Sequence, residues 1–151
     1  TGTRYFKAFD YKQMNEIYNL MDIFYLGTSG EGFGIPTIEA MACSVAILAT
    51  DYTTTWEIVT RNNAGEAVKL SDEILGNLHV ERAIVDIKDS AERMVKLYKN
   101  TELRKEYGKN GRDAVLKEYN WQMVIKQWHE ASKPVANAYP CVRRKHKNAC
   151  P

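Results

Sequence analysis

Two glutamates, Glu31 and Glu39, stand eight residues apart on either side of a loop-to-helix junction, and this spacing is what in the sequence could do chemistry. The loop Gly27-Thr28-Ser29-Gly30-Glu31-Gly32-Phe33-Gly34 is half glycine, so its backbone can take positive-φ conformations and approach a ligand with no Cβ in the way. Pro36 suits the first turn of the helix that follows, where its missing amide proton would have no intrahelical partner anyway. The first amides of such a helix are unpaired and its aligned dipoles place partial positive charge there, so this end can bind an anion such as a diphosphate. Glu39 falls about one turn into the helix and leans back toward its amino end, where the carboxylate can accept hydrogen bonds from a diol beside the anion. Glu31 faces whatever lies beyond the strand ends. Taken singly, each acid also has a plainer reading, Glu39 as a complement to the helix dipole and Glu31 as a solvated loop residue. The loop carries no lysine, which excludes a mononucleotide P-loop, and Gly30, Gly32 and Gly34 do not make the GxGxxG spacing of a dinucleotide fold.

The elements that must position this loop are legible on both sides of it. Thr3 to Phe9 alternates as a strand, and Asp10 can cap a helix with Met14, Ile17, Tyr18 and Met21 on one face. Asp22 to Leu26 reads as a buried strand feeding the loop, the Pro36 helix runs to about Cys43, and Val45 to Ala49 is apolar throughout, as in a parallel strand covered on both faces. A short helix near Thr55 to Arg61, a turn at Asn62 to Gly65 and a strand from Glu66 to Leu70 follow, whereas Asp72 to Ile87 has no clear pattern. Asp89-Ser90 can cap a helix with Ala91, Met94, Val95 and Tyr98 on one face. Thr101 to Glu118 forms a second, with Leu103, Tyr107, Ala114 and Val115 inward. Asn120 caps a third, whose stripe of Trp121, Val124, Ile125 and Trp128 reads as core, and Pro134 and Pro140 are expected to stop regular structure. Strands alternating with helices imply an α/β domain with a mainly parallel sheet, in which ligands sit beyond the carboxyl ends of the strands. Two loops leave such ends, Gly27 to Gly34 and Thr50 to Thr54.

Composition narrows the classes. A chain of 151 residues, 44% hydrophobic and 26% charged, is one globular domain with enough apolar material for a core. A net charge of +2 with mixed signs makes no field that would recruit nucleic acid, and the basic run Arg143 to Lys147 reads as a solvated tail. No apolar stretch is long enough for an integral membrane segment and the first residues lack a signal-peptide pattern, so the expected location is the cytoplasm, free or peripheral to a membrane. Cys43, Cys141 and Cys150 have no metal-type spacing and imply neither a disulfide framework nor a zinc site. Cys43 reads as a small core residue, His129 as a surface or packing residue, Asp51 as a turn or cap, and His79 is given no role.

The run from Glu31 to Ala42, EGFGIPTIEAMA, closely resembles the E-x7-E signature of retaining GT-B glycosyltransferases, specifically glycosyltransferase family 4 (group 1). Its surroundings agree: Tyr18 to Phe24 is similar to the family's lead-in, Ala49-Thr50-Asp51 through Glu57-Ile58-Val59 to its next strand and helix, and Glu102-Leu103-Arg104, Gly108 to Arg112 and Tyr119-Asn120-Trp121 to its helical run. The likeness spans Thr3 to Glu130. It implies a Rossmann-like parallel sheet with flanking helices, a partial carboxyl-terminal half of a GT-B fold lacking its first strands, over residues 1–131, with residues 132–151 as a flexible basic tail.

The activity so implied is a metal-independent, retaining, hexosyltransferase-type transfer from a UDP- or GDP-sugar to an unknown acceptor, with no cofactor beyond the donor. Carried over by position, Glu31 would be the catalytic residue, contacting the transferred sugar and stabilising charge near the reacting carbon. The backbone of Gly32, Phe33, Gly34 and Ile35 would hold the sugar and its phosphate, amides of Thr37 and Ile38 the diphosphate, and Glu39 the ribose hydroxyls. Two departures stand out. Ser44 and Ala46 replace the family's usual glycine and proline after this helix, which predicts a modest cost at Ser44 because serine tolerates positive φ less well than glycine. The family's diphosphate-gripping arginine and lysine have no counterpart, since neither Arg4 nor Lys7 stands in the right place. The expected partners are therefore a nucleotide sugar, an acceptor, and an amino-terminal GT-B domain or partner chain, with the strand at Thr3 to Phe9 pairing to sequence outside this chain and the chain inactive alone. The alternative is a non-catalytic nucleotide-sugar-binding fragment or scaffold subunit.

Overall fold

The computed structural model describes residues 9–76 and 79–138, so the strand expected at Thr3 to Phe9, apart from Phe9 itself, and the basic run at Arg143 to Lys147 lie outside the described residues. Helix α1 (Tyr11–Asn19) starts at Asp10, whose carboxylate accepts from the Gln13 amide while the Gln13 side chain accepts from the Asp10 amide, a capping box that satisfies two orphan donors. Strand β1 (Ile23–Leu26), helix α2 (Ile35–Ala42) and strand β2 (Ala46–Thr50) form a βαβ unit, with Phe24 opposite Ile47 in the parallel register. A single wide turn of π-helix at Trp56–Thr60 stands where a short helix is expected, and it turns the adjacent Ile58 and Val59 both inward. Strand β3 (Gly65–Val68) then pairs with β2, giving a parallel sheet in the order β1-β2-β3.

Because side chains alternate across a strand, the fully buried β2 serves two cores. Val45, Ile47 and Ala49 face one side with Tyr18, Met41, Ile58, Val59 and Ala64; Ala46 and Leu48 face the other with Val68, Leu97 and Tyr107. Helix α3 (Ile87–Lys99) and helix α4 (Thr101–Glu118) supply the outer layer. At Gly108 of α4 an added Cβ would lie 2.0 Å from the Ser44 carbonyl oxygen, so the helix seats on the α2–β2 connection only because that position is glycine. Ser44 itself sits at φ 60, the positive-φ backbone expected from its place in the sequence.

Four expectations need correction. The segment without a pattern, Asp72 to Ile87, contains most of an antiparallel hairpin, β4 (Leu70–Leu75) and β5 (Glu81–Val85), which forms a separate sheet. The cap of α3 is Asp86, not Asp89-Ser90; its carboxylate accepts from the Lys88 and Asp89 amides, and the earlier start goes with a buried residue at Leu97 while Val95 and Tyr98 are exposed. Helix α5 (Trp121–Ala138) is capped by Asn120 as expected, yet Trp121, Ile125 and Trp128 are 79%, 63% and 73% exposed and are not core. Pro134 does not stop that helix, and Pro140 lies outside the described residues. Pro134 lies where α5 is exposed, so the carbonyl that loses its partner there is open to water instead of being buried unpaired.

Candidate functional site

The site is built at the carboxyl ends of β1 and β2, where the Thr50 hydroxyl donates to the Leu26 carbonyl at 3.4 Å and ties the two strand ends together. From Leu26 the chain enters the glycine loop. Three neighbours brace it: Ala83 of β5 donates its amide to the Ser29 carbonyl at 3.1 Å, the Tyr52 ring lies against Gly30, and the Thr53 hydroxyl accepts from the Glu31 amide at 3.1 Å. Tyr52 in turn donates its hydroxyl to the Glu81 carbonyl at 3.3 Å, so the hairpin and the β2 loop hold the glycine loop jointly. Thr53 adopts φ 51, a conformation β-branched residues rarely take and one that marks stored backbone strain.

Gly34 caps α2 at φ 86, where a side chain would be strained, and provides no side-chain acceptor for the first turn. Its carbonyl accepts from the Thr37 and Ile38 amides at 3.0 and 3.2 Å, so in this conformation those two amides, expected to hold a diphosphate, are committed to the helix. No described residue accepts from the amides of Phe33, Gly34 or Ile35, and with Pro36 next in line these are the donors left open at the positive end of the helix. Gly32, Phe33 and Ile35 are exposed and Thr37 is buried, so the open part of the motif is its loop and its first helical residue. Phe33 rests edge-on against Tyr119, with ring centroids 6.3 Å apart.

Glu31 and Glu39 do not share one cavity. Glu39 lines a pocket of about 180 Å³ between α1 and α2, together with Tyr11, Met14, Asn15, Tyr18, Ala42 and Cys43, and Glu31 is not in its wall. The pocket wall carries no basic side chain. Tyr18 donates its hydroxyl to Glu39 Oε2 at 2.9 Å; burial, then this hydrogen bond and the charge of the carboxylate, push the phenol well above its usual pKa. Burial likewise pushes the Cys43 thiol up, with the Glu39 charge adding to this against the opposing charge of Arg112, and the half-buried thiol donates to Asn15 Oδ1 at 3.5 Å. Asp51 sits at a bend closed by the Tyr52 amide donating to the Thr50 carbonyl at 2.8 Å, its own amide extends the β2–β3 ladder to the Val68 carbonyl, and His79 and His129 are exposed. Among the described residues no group of three or more His, Cys, Asp or Glu side chains could hold a metal ion, and no helix is long and apolar enough to cross a membrane.

Sequence reasoning missed Thr53, Tyr52 and the hairpin as supports of the loop, and it read Tyr18 only as a core position. Thr53 left no signal, since nothing local distinguishes a strained threonine from one in an ordinary turn. Tyr18 left a faint one, a hydroxyl on the apolar stripe of α1 that a buried position must satisfy.

Comparison with known proteins bears on this geometry. The family model described as "Glycosyl transferases group 1" matches residues 2–114. The sequence is 31% identical over 113 residues to the capsular polysaccharide biosynthesis glycosyltransferase CapM of Staphylococcus aureus, covering 75% of this chain and 25% of that protein. It is 26% identical over 130 residues to an uncharacterised glycosyltransferase of Methanocaldococcus jannaschii, covering 85% of this chain and 29% of that one. Sucrose-phosphate synthase from Thermosynechococcus elongatus superposes with a TM-score of 0.72 at 21% identity, over 86% of this chain and 29% of that chain. That likeness shows the fold, an α/β piece of a GT-B architecture with its parallel sheet and flanking helices. The chain thus spans less than a third of the length of each of these proteins.

Proposed function

The chain belongs to the group 1 glycosyl transferase family, and from that premise we propose that it is the donor-binding part of a retaining, family 4-type glycosyltransferase that moves a hexose from a UDP- or GDP-sugar to an acceptor. The observation that carries this reading is the open start of α2, where the Phe33, Gly34 and Ile35 amides have no partner among the described residues and stand between Glu31 and Glu39 in the chain. In the reaction the bond between the anomeric carbon and the diphosphate oxygen breaks, and an acceptor hydroxyl oxygen bonds to that carbon on the same face while its proton passes to the leaving diphosphate. Negative charge grows on the departing diphosphate as the bond breaks. Fixed amides and the helix dipole stabilise that charge in place of a metal ion. Glu31, held through its amide by Thr53, faces the hydroxyls of the transferred sugar and steadies the positive charge that develops at the anomeric carbon. Glu39 accepts from the ribose hydroxyls, and the amides of Thr37 and Ile38 contribute through the dipole, or directly if the first turn opens.

The same reading assigns a cytoplasmic setting and a partner, an amino-terminal GT-B domain or a separate chain that brings the acceptor. Trp121, Ile125 and Trp128, spaced to share one face of α5, support it as an apolar surface that is left exposed among the described residues. A non-catalytic donor-binding or scaffold subunit is the second reading, favoured by the pocket wall at Glu39 having no basic side chain. The test is transfer by this chain combined with its other half, wild type against Glu31→Ala. Loss of transfer with retained folding supports the catalytic assignment; full activity of the variant contradicts it and leaves the subunit reading.

A further inference from the structure

Glu39 is not a freely rotating surface acid. It reaches back from α2 to the far end of α1, where the Tyr18 hydroxyl donates to its Oε2 at 2.9 Å. Tyr18 is only 5% exposed and its ring packs on Phe24, with centroids 6.0 Å apart, so the core fixes the hydroxyl before any ligand arrives. A hydrogen bond to a charged acceptor is strong and directional, and this one selects a single arrangement of the carboxylate. Oε1 accepts from no described residue, and the carboxylate lines the pocket between α1 and α2. Asn15, which also lines this pocket, has its Oδ1 engaged, accepting from the Cys43 thiol at 3.5 Å and from Asn19 Nδ2 at 3.1 Å.

We infer that Tyr18 is a positioning residue for the donor: its hydroxyl fixes Glu39 so that the second carboxylate oxygen is presented to the ribose hydroxyls of a nucleoside diphosphate. This rests on the donor-binding reading and deepens it, because it assigns the ribose-over-deoxyribose preference to a pair of residues on different helices. A group that acts through Glu39 alters recognition of the 2′-hydroxyl, whereas a group that merely holds the fold alters affinity for all nucleotides alike.

The experiment is calorimetric titration of the whole chain with UDP, GDP and their 2′-deoxy forms, for wild type, Tyr18→Phe, Glu39→Gln and the double variant, with circular dichroism to confirm folding. Tyr18→Phe keeps the ring and removes only the hydroxyl. The expected result is that wild type prefers the ribonucleotide, that Tyr18→Phe lowers this preference about tenfold, the scale of one lost hydrogen bond to a charged group, and that Tyr18→Phe adds nothing further on a Glu39→Gln background. An equal loss of affinity for ribo and deoxy forms, or an unchanged preference, overturns the inference while leaving the donor-binding reading intact. The double variant alone also decides: a further drop in preference beyond Glu39→Gln means Tyr18 does not act through Glu39. Failure of wild type to bind any of the four nucleotides overturns the donor-binding reading itself and this inference with it.

Discussion

Replacing Glu66 by alanine should destabilise the domain by about 3 kcal/mol, although Glu66 touches no part of the candidate site. The residue sits in β3, 7% exposed, and its carboxylate accepts from Arg93 Nη1 at 2.7 Å, Lys96 Nζ at 2.5 Å and the Tyr107 hydroxyl at 2.8 Å, joining the sheet to both α3 and α4. Breaking a buried ion pair by deleting one partner costs roughly 3–5 kcal/mol. The lower end applies here because Arg93 keeps its 2.7 Å pair with Asp89 and Lys96 is half exposed, so both cations regain solvent or a partner. The larger share comes from the Tyr107 hydroxyl, which would be left buried and unpaired at about 1–3 kcal/mol. Urea unfolding followed by circular dichroism should therefore show the midpoint falling by roughly 1.5 M at an unchanged slope. Acid adds a second readout. Burial opposes ionisation of Glu66, but hydrogen bonds from Lys96 and Tyr107 and the charges of Lys96 and Arg93 outweigh it and hold the pKa below the usual glutamate range. A folded-state pKa below the unfolded one gives stability that is complete above the unfolded value, about 4.3, and lost as pH falls through the folded one. That acid-side loss should shrink in Glu66→Ala. A midpoint shift under roughly 0.3 M, with the acid limb unchanged, would show that the Glu66 cluster does not hold the sheet to α3 and α4.

Two further outcomes follow from the backbone at the site and beside it. Ser44→Gly should raise stability by about 1 kcal/mol, because Ser44 holds φ 60, where an L-residue is disfavoured and glycine is not; thermal unfolding checks this, and a lower melting temperature would show that the serine is needed. Thr53→Val should remove the acceptor for the Glu31 amide while keeping the branched shape, reducing transfer by about tenfold with little change in melting temperature, whereas Thr53→Ser should stay near wild type.

How much of this was visible in the sequence depends on the range of the interactions involved. Pro36 with the preceding glycines marked the start of α2, and the uninterrupted apolar run through Ile47 and Leu48 marked a strand buried on both faces, because these are local consequences of backbone and side-chain type. The hairpin was not legible: Ile74, Leu75 and Ile84 are interleaved with Asp72, Glu73, Glu81 and Arg82 on a mostly exposed ribbon, so burial leaves little alternation to read. The stripe of α5 gave the helix correctly and its environment wrongly, since the spacing of Trp121, Ile125 and Trp128 defines a face but not what covers it. Within the site, the motif placed Glu31 and Glu39 at the two ends of one junction. That they face different surroundings follows from Tyr18, 21 residues before Glu39, and from Thr53, 22 residues after Glu31, contacts that no local pattern encodes.

Whether the start of α2 holds a nucleotide-sugar diphosphate is decided by calorimetric titration of the chain with UDP-glucose and GDP-mannose, wild type against Gly34→Ala. Gly34 is buried at φ 86, so a Cβ there should displace the loop and its open amides while the two cores around β2 remain. A diphosphate site there requires saturable binding of at least one of the two donors by wild type and its loss in the folded variant. No heat with either donor, or binding unaffected by Gly34→Ala, would contradict it.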